Sequence, residues 1–194
     1  MAADAQFDGR PHTTVVPHGE QAVREFFGFP GRLTGSVRFD LGGRILEILG
    51  SPGHHEAAIT VHDPWTGFLL TGDTVYPGRL YVADYPAFRE TLDSLVAFAA
   101  AHPVSHVLGC HIEMTRRPGR DYPLGARFQP DEHVLPLTVA QLTAVRDATV
   151  RAAGRRGVHR HRDFILYIEP GRKEKRRLAV RARLRRFQEA LLRP

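Results

Sequence analysis

Hydrophobic and polar positions change their period along the chain, and this change predicts where its elements lie. After residue 35, short runs rich in Val, Ile, Leu and Phe alternate with Gly, Pro and Asp turns, which is typical of consecutive β-strands. The four runs read SVRFDLG, RILEILG, AAITVHD and FLLTGDTVY. Ahead of them, one short helical segment from Glu20 to Phe27 stands between Gly and Pro residues.

The pattern then becomes helical. Apolar residues recur at the spacing of one helix face in YPAFRETLDSLVAFAAAH, namely at Phe88, Leu92, Leu95 and Ala99. The run VSHVLGCH predicts a buried strand, and residues 115–136, rich in Arg, Pro and Gly, predict a long loop.

A second helix is predicted to begin at its cap, Thr138, and to end near Ala153. Its apolar side would carry Val139, Leu142, Val145 and Val150. The run DFILYIE predicts a last strand. Strands grouped early, with helices interleaved late, indicate an α/β layered sandwich.

Composition and charge limit the functions to consider. With 194 residues and 42% hydrophobic side chains, the chain suits one domain and a tail. Residues 171–194 hold ten Arg or Lys against two Glu, whereas the rest carries 17 basic and 19 acidic side chains. A nucleic-acid partner would therefore rest on the tail alone. No leader-like segment or membrane-spanning run is visible, so we expect a cytoplasmic protein without a membrane span.

Metal-binding side chains follow three of the predicted strands. SPGHH, LLTGDTVY and VLGCHIE each come at the end of an apolar run, and they contain His54, Asp73 and His111. Strand ends are rigid and open to solvent, as a catalytic metal with a free coordination position requires. The lone Cys110 excludes a cysteine-rich zinc site, so histidine and carboxylate would have to supply the ligands. These three residues are the predicted metal ligands.

In this order, the three motifs resemble those of the metallo-β-lactamase superfamily over about residues 36–138. The resemblance implies an αββα sandwich with a binuclear zinc or iron site, Mn being a further option. By that resemblance His54 would bind the first metal, Asp73 would bridge both and His111 would bind the second. It also implies a metal-dependent hydrolase of ester, thioester or lactone bonds in small-molecule substrates, whose metal activates a water molecule.

The family's first motif, His-x-His-x-Asp-His, has no counterpart before residue 54, where only His12 and His18 occur. The chain therefore resembles the C-terminal part of the fold, lacking its N-terminal strands. We expect an N-terminally truncated hydrolase with impaired activity and doubtful metal occupancy, and no catalytic residue can be assigned. The alternative is a non-catalytic binding module that uses a basic C-terminal helix as its contact surface or for self-association.

Other residues leave alternatives open. His159, His161 and Asp163 repeat the pattern His-x-His-x-Asp and could complete the site by circular permutation, although short motifs arise by chance. Cys110, one residue before a predicted ligand on a strand, should point to the opposite face and pack in the core. Four loop residues could line a substrate entrance or be solvated: Arg79, Arg116, Arg117 and Tyr122. His55 could contact a ligand or the substrate.

Three segments follow from these patterns. Residues 1–35 form a connecting segment, 36–170 an incomplete metallo-β-lactamase-like domain, and 171–194 a basic helix. Helical spacing gives this helix one apolar edge, which we expect to face protein rather than solvent: Val180, Leu184, Phe187 and Leu191.

Overall fold

The computed structural model describes residues 4–169, 171, 176–177, 179–180 and 183–184. A 3₁₀ turn at Asp4–Gln6 precedes the first α-helix. The helices are α1 (Glu20–Phe27), α2 (Tyr85–Ala101) and α3 (Val139–Ala152). The strands are β1 (Ser36–Asp40), β2 (Ile45–Gly50), β3 (Ile59–Asp63), β4 (Phe68–Gly72), β5 (Arg79–Val82), β6 (His106–Gly109), β7 (Gly157–Arg160) and β8 (Ile165–Ile168).

The strands form two sheets. One has five strands in the order β1-β2-β3-β4-β6, and the other has three in the order β5-β8-β7. The strands β1 to β4 pair as antiparallel neighbours, whereas β6 joins β4 in parallel after the chain has passed through α2. The described part of the chain is a mixed α/β structure, which confirms the predicted class.

The main core is formed by α2 and α3 together with strands of both sheets, for example Leu69 of β4 and Leu166 of β8. The four predicted stripe residues of α2 are all buried, and Asp84 caps this helix by accepting a hydrogen bond from the Ala87 N–H. At α3, Thr138 and Gln141 form a capping box that fixes the start of the helix. Val150 is an exception to the predicted face, because 42% of it is exposed.

The segment before β1 packs on the sheet. Val23 of α1, Phe29 and Leu33 form a second apolar cluster with Ile48 of β2. Gly50 allows this approach, because a Cβ there would lie 2.2 Å from the Leu33 carbonyl oxygen. The packing brings residues 16–33 next to the loop that carries His54.

The first three predicted helices, the five predicted strands on either side of α2, and β8 are found near their expected positions. The sequence interpretation missed β5, which it treated as a loop, and β7. Both belong to the three-stranded sheet. None of the helices among the described residues combines the length and apolar character that a membrane crossing needs.

The C-terminal segment is described only in part. Residues 176–177, 179–180 and 183–184 are helical. Val180 is 50% exposed and Leu184 is 59% exposed, so the expectation that the apolar edge faces protein is wrong at these two positions. Phe187 and Leu191 lie outside the described residues.

Candidate functional site

His54 lies in the loop after β2, and the backbone of this loop is held against α2. The Gly53 carbonyl accepts hydrogen bonds from the N–H groups of Ala83 and Asp84, at 2.9 and 3.0 Å. Gly53 has φ +129°, and a Cβ there would lie 2.4 Å from the Cα of Phe88. Only glycine satisfies both the conformation and the close approach, and this contact fixes the position of His54.

The imidazole of His54 is oriented from the other sheet. Its Nδ1 lies 2.9 Å from the carbonyl oxygen of Tyr81 in β5. Because a carbonyl oxygen can only accept, Nδ1 carries the hydrogen and a neutral ring keeps its lone pair on Nε2. Metal-binding histidines are commonly oriented by such a bond from the ring nitrogen that does not bind the metal.

Asp73 and His111 follow the parallel strands β4 and β6, which end side by side. At this edge the Cys110 N–H donates to the Gly72 carbonyl at 3.0 Å. Gly109 permits the close approach, since a Cβ there would lie 2.3 Å from the Cβ of Tyr76. The ring of Tyr76 then packs edge-on against the His111 ring, with 5.4 Å between their centroids.

The structure brings the three predicted ligands together, with the Asp73 carboxylate in the middle. Its Oδ1 lies 3.1 Å from His111 Nε2, and its Oδ2 lies 3.8 Å from His54 Nε2. Asp73 Oδ1 is buried, and among the described residues it accepts no hydrogen bond of good geometry. His111 Nε2 therefore satisfies the distance of an ion pair without the geometry of a hydrogen bond.

The cluster is incomplete as a preformed metal site. Within the part of the chain that the structure describes, no three His, Cys, Asp or Glu side chains are arranged to hold one metal ion. The side chains are also open to solvent, with exposed fractions of 26% for His54, 40% for Asp73 and 57% for His111. These residues fit part of a ligand set, and a zinc ion would need further ligands.

Cys110 corrects one expectation. It is exposed rather than packed in the core. The strand β6 ends at Gly109, so the alternation of faces that predicted a buried side chain does not continue to residue 110. Partial burial raises the pKa of its thiol, and the charge of Asp73 adds to this effect.

Arg79 is a second correction, because it is neither a solvated loop residue nor part of an entrance. It begins β5, is 3% exposed, and donates to Glu113 Oε1 at 2.6 Å and Asp121 Oδ2 at 2.9 Å. Burial works to lower the pKa of Arg79, but Glu113 and the other neighbours raise it above its ordinary value. Arg160 also donates to Asp121, at 2.9 Å. We call these four residues the Arg79 network.

The other predicted loop residues divide. Tyr122 is 9% exposed, and its hydroxyl accepts a hydrogen bond from the Asp131 N–H at 2.8 Å. Arg116 and Arg117 are exposed. Arg116 donates to the Glu132 carbonyl at 3.4 Å. Tyr122 therefore belongs to the packing of the long loop.

The residues of the alternative, permuted site make their contacts around the three-stranded sheet. His159 Nε2 lies 2.8 Å from the Arg155 carbonyl, and His161 stacks on Phe164 at 4.7 Å between ring centroids. Asp163 accepts a hydrogen bond from Gln141 at 3.0 Å and lies 3.3 Å from His133 Nε2. These contacts account for His159 and Asp163 without reference to Asp73, whereas His161 Nε2 is buried and has no hydrogen-bond partner among the described residues.

Two cavities adjoin the cluster, and both are lined by His54 and His55. One has a volume of about 400 Å³ and also contacts Asp73 and Cys110. The other has a volume of about 530 Å³ and lies toward the start of α2. Sequence reasoning could not find them, because both are formed where the segment before β1 folds back beside the His54 loop.

The chain is similar to proteins among the solved structures. No family model matches the chain, and no curated protein matches it. Among solved structures, it is similar to a metallo-β-lactamase superfamily protein from the archaeon Sulfolobus tokodaii, with a TM-score of 0.39 and 16% identity. The similarity covers 80% of this chain and 50% of that chain, so this chain spans about half its length. A TM-score and an identity this low do not assign a family.

Proposed function

We propose that His54, Asp73 and His111 form part of the metal centre of a metal-dependent hydrolase of the metallo-β-lactamase type. Ester, thioester or lactone bonds in small molecules are its proposed targets. One observation carries this proposal: the Asp73 carboxylate lies between two imidazole Nε2 atoms, at 3.1 and 3.8 Å.

The orientation of His54 supports a cation at this place. Its Nδ1–H is committed to the Tyr81 carbonyl, so a neutral ring directs a lone pair toward Asp73 Oδ2. Two acceptors facing each other repel unless a proton or a metal ion lies between them. The buried Asp73 Oδ1, which lacks a hydrogen bond among the described residues, supports the same inference.

Each residue has a distinct proposed role. His54 and His111 would hold zinc, or iron or manganese, through Nε2, and Asp73 would hold it through its carboxylate oxygens. Bound metal of this kind lowers the pKa of a water molecule and stabilises charge developing on the carbonyl oxygen. The Tyr81 carbonyl keeps the His54 ring in a metal-binding tautomer.

Titration with Co²⁺, followed by its visible absorption, tests the proposal. We expect weak binding, because three ligands at most are offered where a zinc-type site uses four. Asp73→Asn and His111→Ala should each abolish it. The matched control is His106→Ala, which removes an exposed histidine that lies beside Ser105 and outside the cluster.

Two results would contradict the proposal. Equal loss of Co²⁺ binding in His106→Ala would show non-specific association with surface histidines. Tight binding of two ions that is lost in His159→Ala and His161→Ala would instead support the permuted site.

The incomplete set of metal ligands favours a second candidate function. Because the described residues include no three-ligand group, the chain could be a non-catalytic module that binds a partner. The exposed apolar side chains Val180 and Leu184, in a basic segment, would then be the contact surface. Co²⁺ binding that is unaffected by Asp73→Asn, together with self-association lost in Leu184→Glu, would favour this function.

A further inference from the structure

The two cavities beside His54 and His55 differ in the chemistry of their walls. The apolar cavity, of about 400 Å³, is lined by aliphatic and aromatic residues that include Val16, Val23, Phe27, Ala58 and Ile59. The acidic cavity, of about 530 Å³, is lined by Glu20, Glu56, Asp84 and Glu90, with Arg32 as its basic residue. The volumes fall within the range of small-molecule sites.

Polar groups in the wall of the apolar cavity would orient a bound ligand. Asp73 and His54 contact it along with the apolar walls. A ligand with an apolar chain would therefore bury that chain against Phe27 and Ile59 and present its oxygen-bearing end to His54. Burial of the chain is favourable in proportion to the apolar area removed from water.

Charge gives the acidic cavity a different preference. Four carboxylates and one guanidinium among its lining residues leave an excess of negative charge. The Asp84 carboxylate is engaged in capping α2, where it accepts from the Ala87 N–H at 3.0 Å. Glu56 and Glu90 are exposed and remain able to face a bound cation. A cationic group is favoured here and an anionic group is disfavoured.

We infer that the two cavities are the two halves of one substrate site, which takes an ester of an apolar acyl group and a cationic amino alcohol. The inference rests on the proposed function, since the ester bond would lie at His54, beside Asp73. Hydrolysis would consume one water molecule: the acyl carbon–oxygen bond breaks, the water oxygen bonds to the acyl carbon, and the amino alcohol leaves with a proton.

Calorimetric titration of the full chain in the presence of EDTA tests this inference without any metal. The probes are octanoylcholine, octanoate and choline. Octanoylcholine should bind about tenfold or more tightly than either fragment, because it engages both cavities at once. Equal affinity for octanoate and octanoylcholine would overturn the inference, since the acidic cavity would then contribute nothing.

Two variants separate the cavities. Ala58→Phe should weaken both octanoyl probes about tenfold or more by filling the apolar cavity, whereas choline binding stays unchanged. Glu56→Gln combined with Glu90→Gln should weaken octanoylcholine about three- to tenfold without weakening octanoate, whose negative charge the two glutamates repel. These glutamates are exposed, so this variant tests the inference even if Ala58→Phe fails to fold.

Glu25→Gln is the matched control, because Glu25 is an exposed carboxylate on α1 that lines neither cavity. It should leave all three affinities unchanged, and a loss equal to that of the double variant would overturn the inference. Failure of this inference can be distinguished from failure of the proposed function. Absence of octanoylcholine binding with intact Co²⁺ binding refutes only the substrate class, and the reverse result refutes the metal centre.

Discussion

The His54–Asp73–His111 cluster and the Arg79 network are both groups of ionisable side chains, yet their surroundings are opposite. Arg79 is 3% exposed, and its carboxylate partners Glu113 and Asp121 lie within 2.9 Å. In the candidate site Asp73 is 40% exposed, and its shortest approach to a histidine is 3.1 Å. Arg79, Glu113 and Asp121 are largely buried and joined by short hydrogen bonds, although Arg160 of the same network is 40% exposed and Arg79 Nε has no partner among the described residues. The cluster around Asp73 is open at all three of its residues.

The difference separates stability from chemistry. Buried charges persist only when they are paired and hydrogen-bonded, so the Arg79 network is expected to hold the long loop against β5. An open cluster with a buried oxygen that accepts no hydrogen bond from the described residues contributes little to folding and is able to bind a cation. Four substitutions, taken from the largest expected effect to the smallest, test this separation.

The largest effect is expected from Arg79→Met. It keeps most of the side-chain volume but leaves two carboxylates without their buried partner, which typically costs about 3 to 5 kcal/mol. The free energy of unfolding, measured in urea, should fall by that amount. Arg89→Met is the control, because Arg89 is 55% exposed and its ion pair with Asp93 spans 3.9 Å. Similar losses in both variants would refute a special role for the network.

Gly53→Ala is expected to have the next largest effect. The new Cβ would meet the backbone of Phe88 at 2.4 Å, and the conformation at φ +129° is strained for alanine. Overpacking and strain together should cost about 2 to 3 kcal/mol in urea unfolding. Gly42→Ala is the matched control, since it has φ +90° with open space around it. If Gly42→Ala lowers the free energy of unfolding by the same amount, the close contact between Gly53 and α2 does not contribute to stability.

Asp63→Asn is expected to have an intermediate effect on stability, and it tests a carboxylate that belongs to neither region. Hydrogen bonds from Arg44 and Thr66 lower the pKa of Asp63 to about 2. A carboxylate with a lowered pKa in the folded state stabilises the protein above its unfolded pKa of about 4. That contribution is lost as the pH falls from about 4 to about 2. The urea midpoints of the wild type and Asp63→Asn should therefore differ at pH 7 and converge by pH 2. A constant difference would contradict the assigned pKa.

Asp73→Asn should change stability least. Exposed ion pairs are worth at most about 1 kcal/mol, and Asp73 Oδ1 has no hydrogen bond to lose within the described part of the chain. We expect the free energy of unfolding to stay within about 0.5 kcal/mol of the wild type. The same variant should lose Co²⁺ binding. A loss of stability comparable to that of Arg79→Met would make Asp73 a structural residue.

The sequence pattern was sufficient for elements whose period is long and regular. The α2 stripe and the strands of the five-stranded sheet followed from apolar spacing alone. The sequence pattern did not predict β5, because a strand of four residues that begins with Arg shows no clear periodicity. The partners of Arg79 also lie 34 and 42 residues away along the chain. Alternation of Leu80 and Val82 with Tyr81 was the signal available.

The candidate site was predictable only as a set of residue types at strand ends. Three motifs at strand ends identified His54, Asp73 and His111, whereas the Tyr81 carbonyl could not be foreseen, since a backbone atom carries no side-chain signature. Cys110 was misplaced because the end of β6 at Gly109 cannot be read from alternation. The residue at which a strand ends depends on the neighbouring strands with which it pairs, and the sequence of one strand alone does not identify those neighbours.

The bond from His54 Nδ1 to the Tyr81 carbonyl has a consequence for dynamics. His54 follows a strand of the five-stranded sheet, whereas Tyr81 belongs to the three-stranded sheet. A relative movement of the two sheets that lengthens this bond would free Nδ1 and allow the proton to exchange between the two ring nitrogens. The ¹⁵N chemical shifts of the His54 ring, which differ between the two tautomers, would therefore report on whether the two sheets stay in contact at this bond.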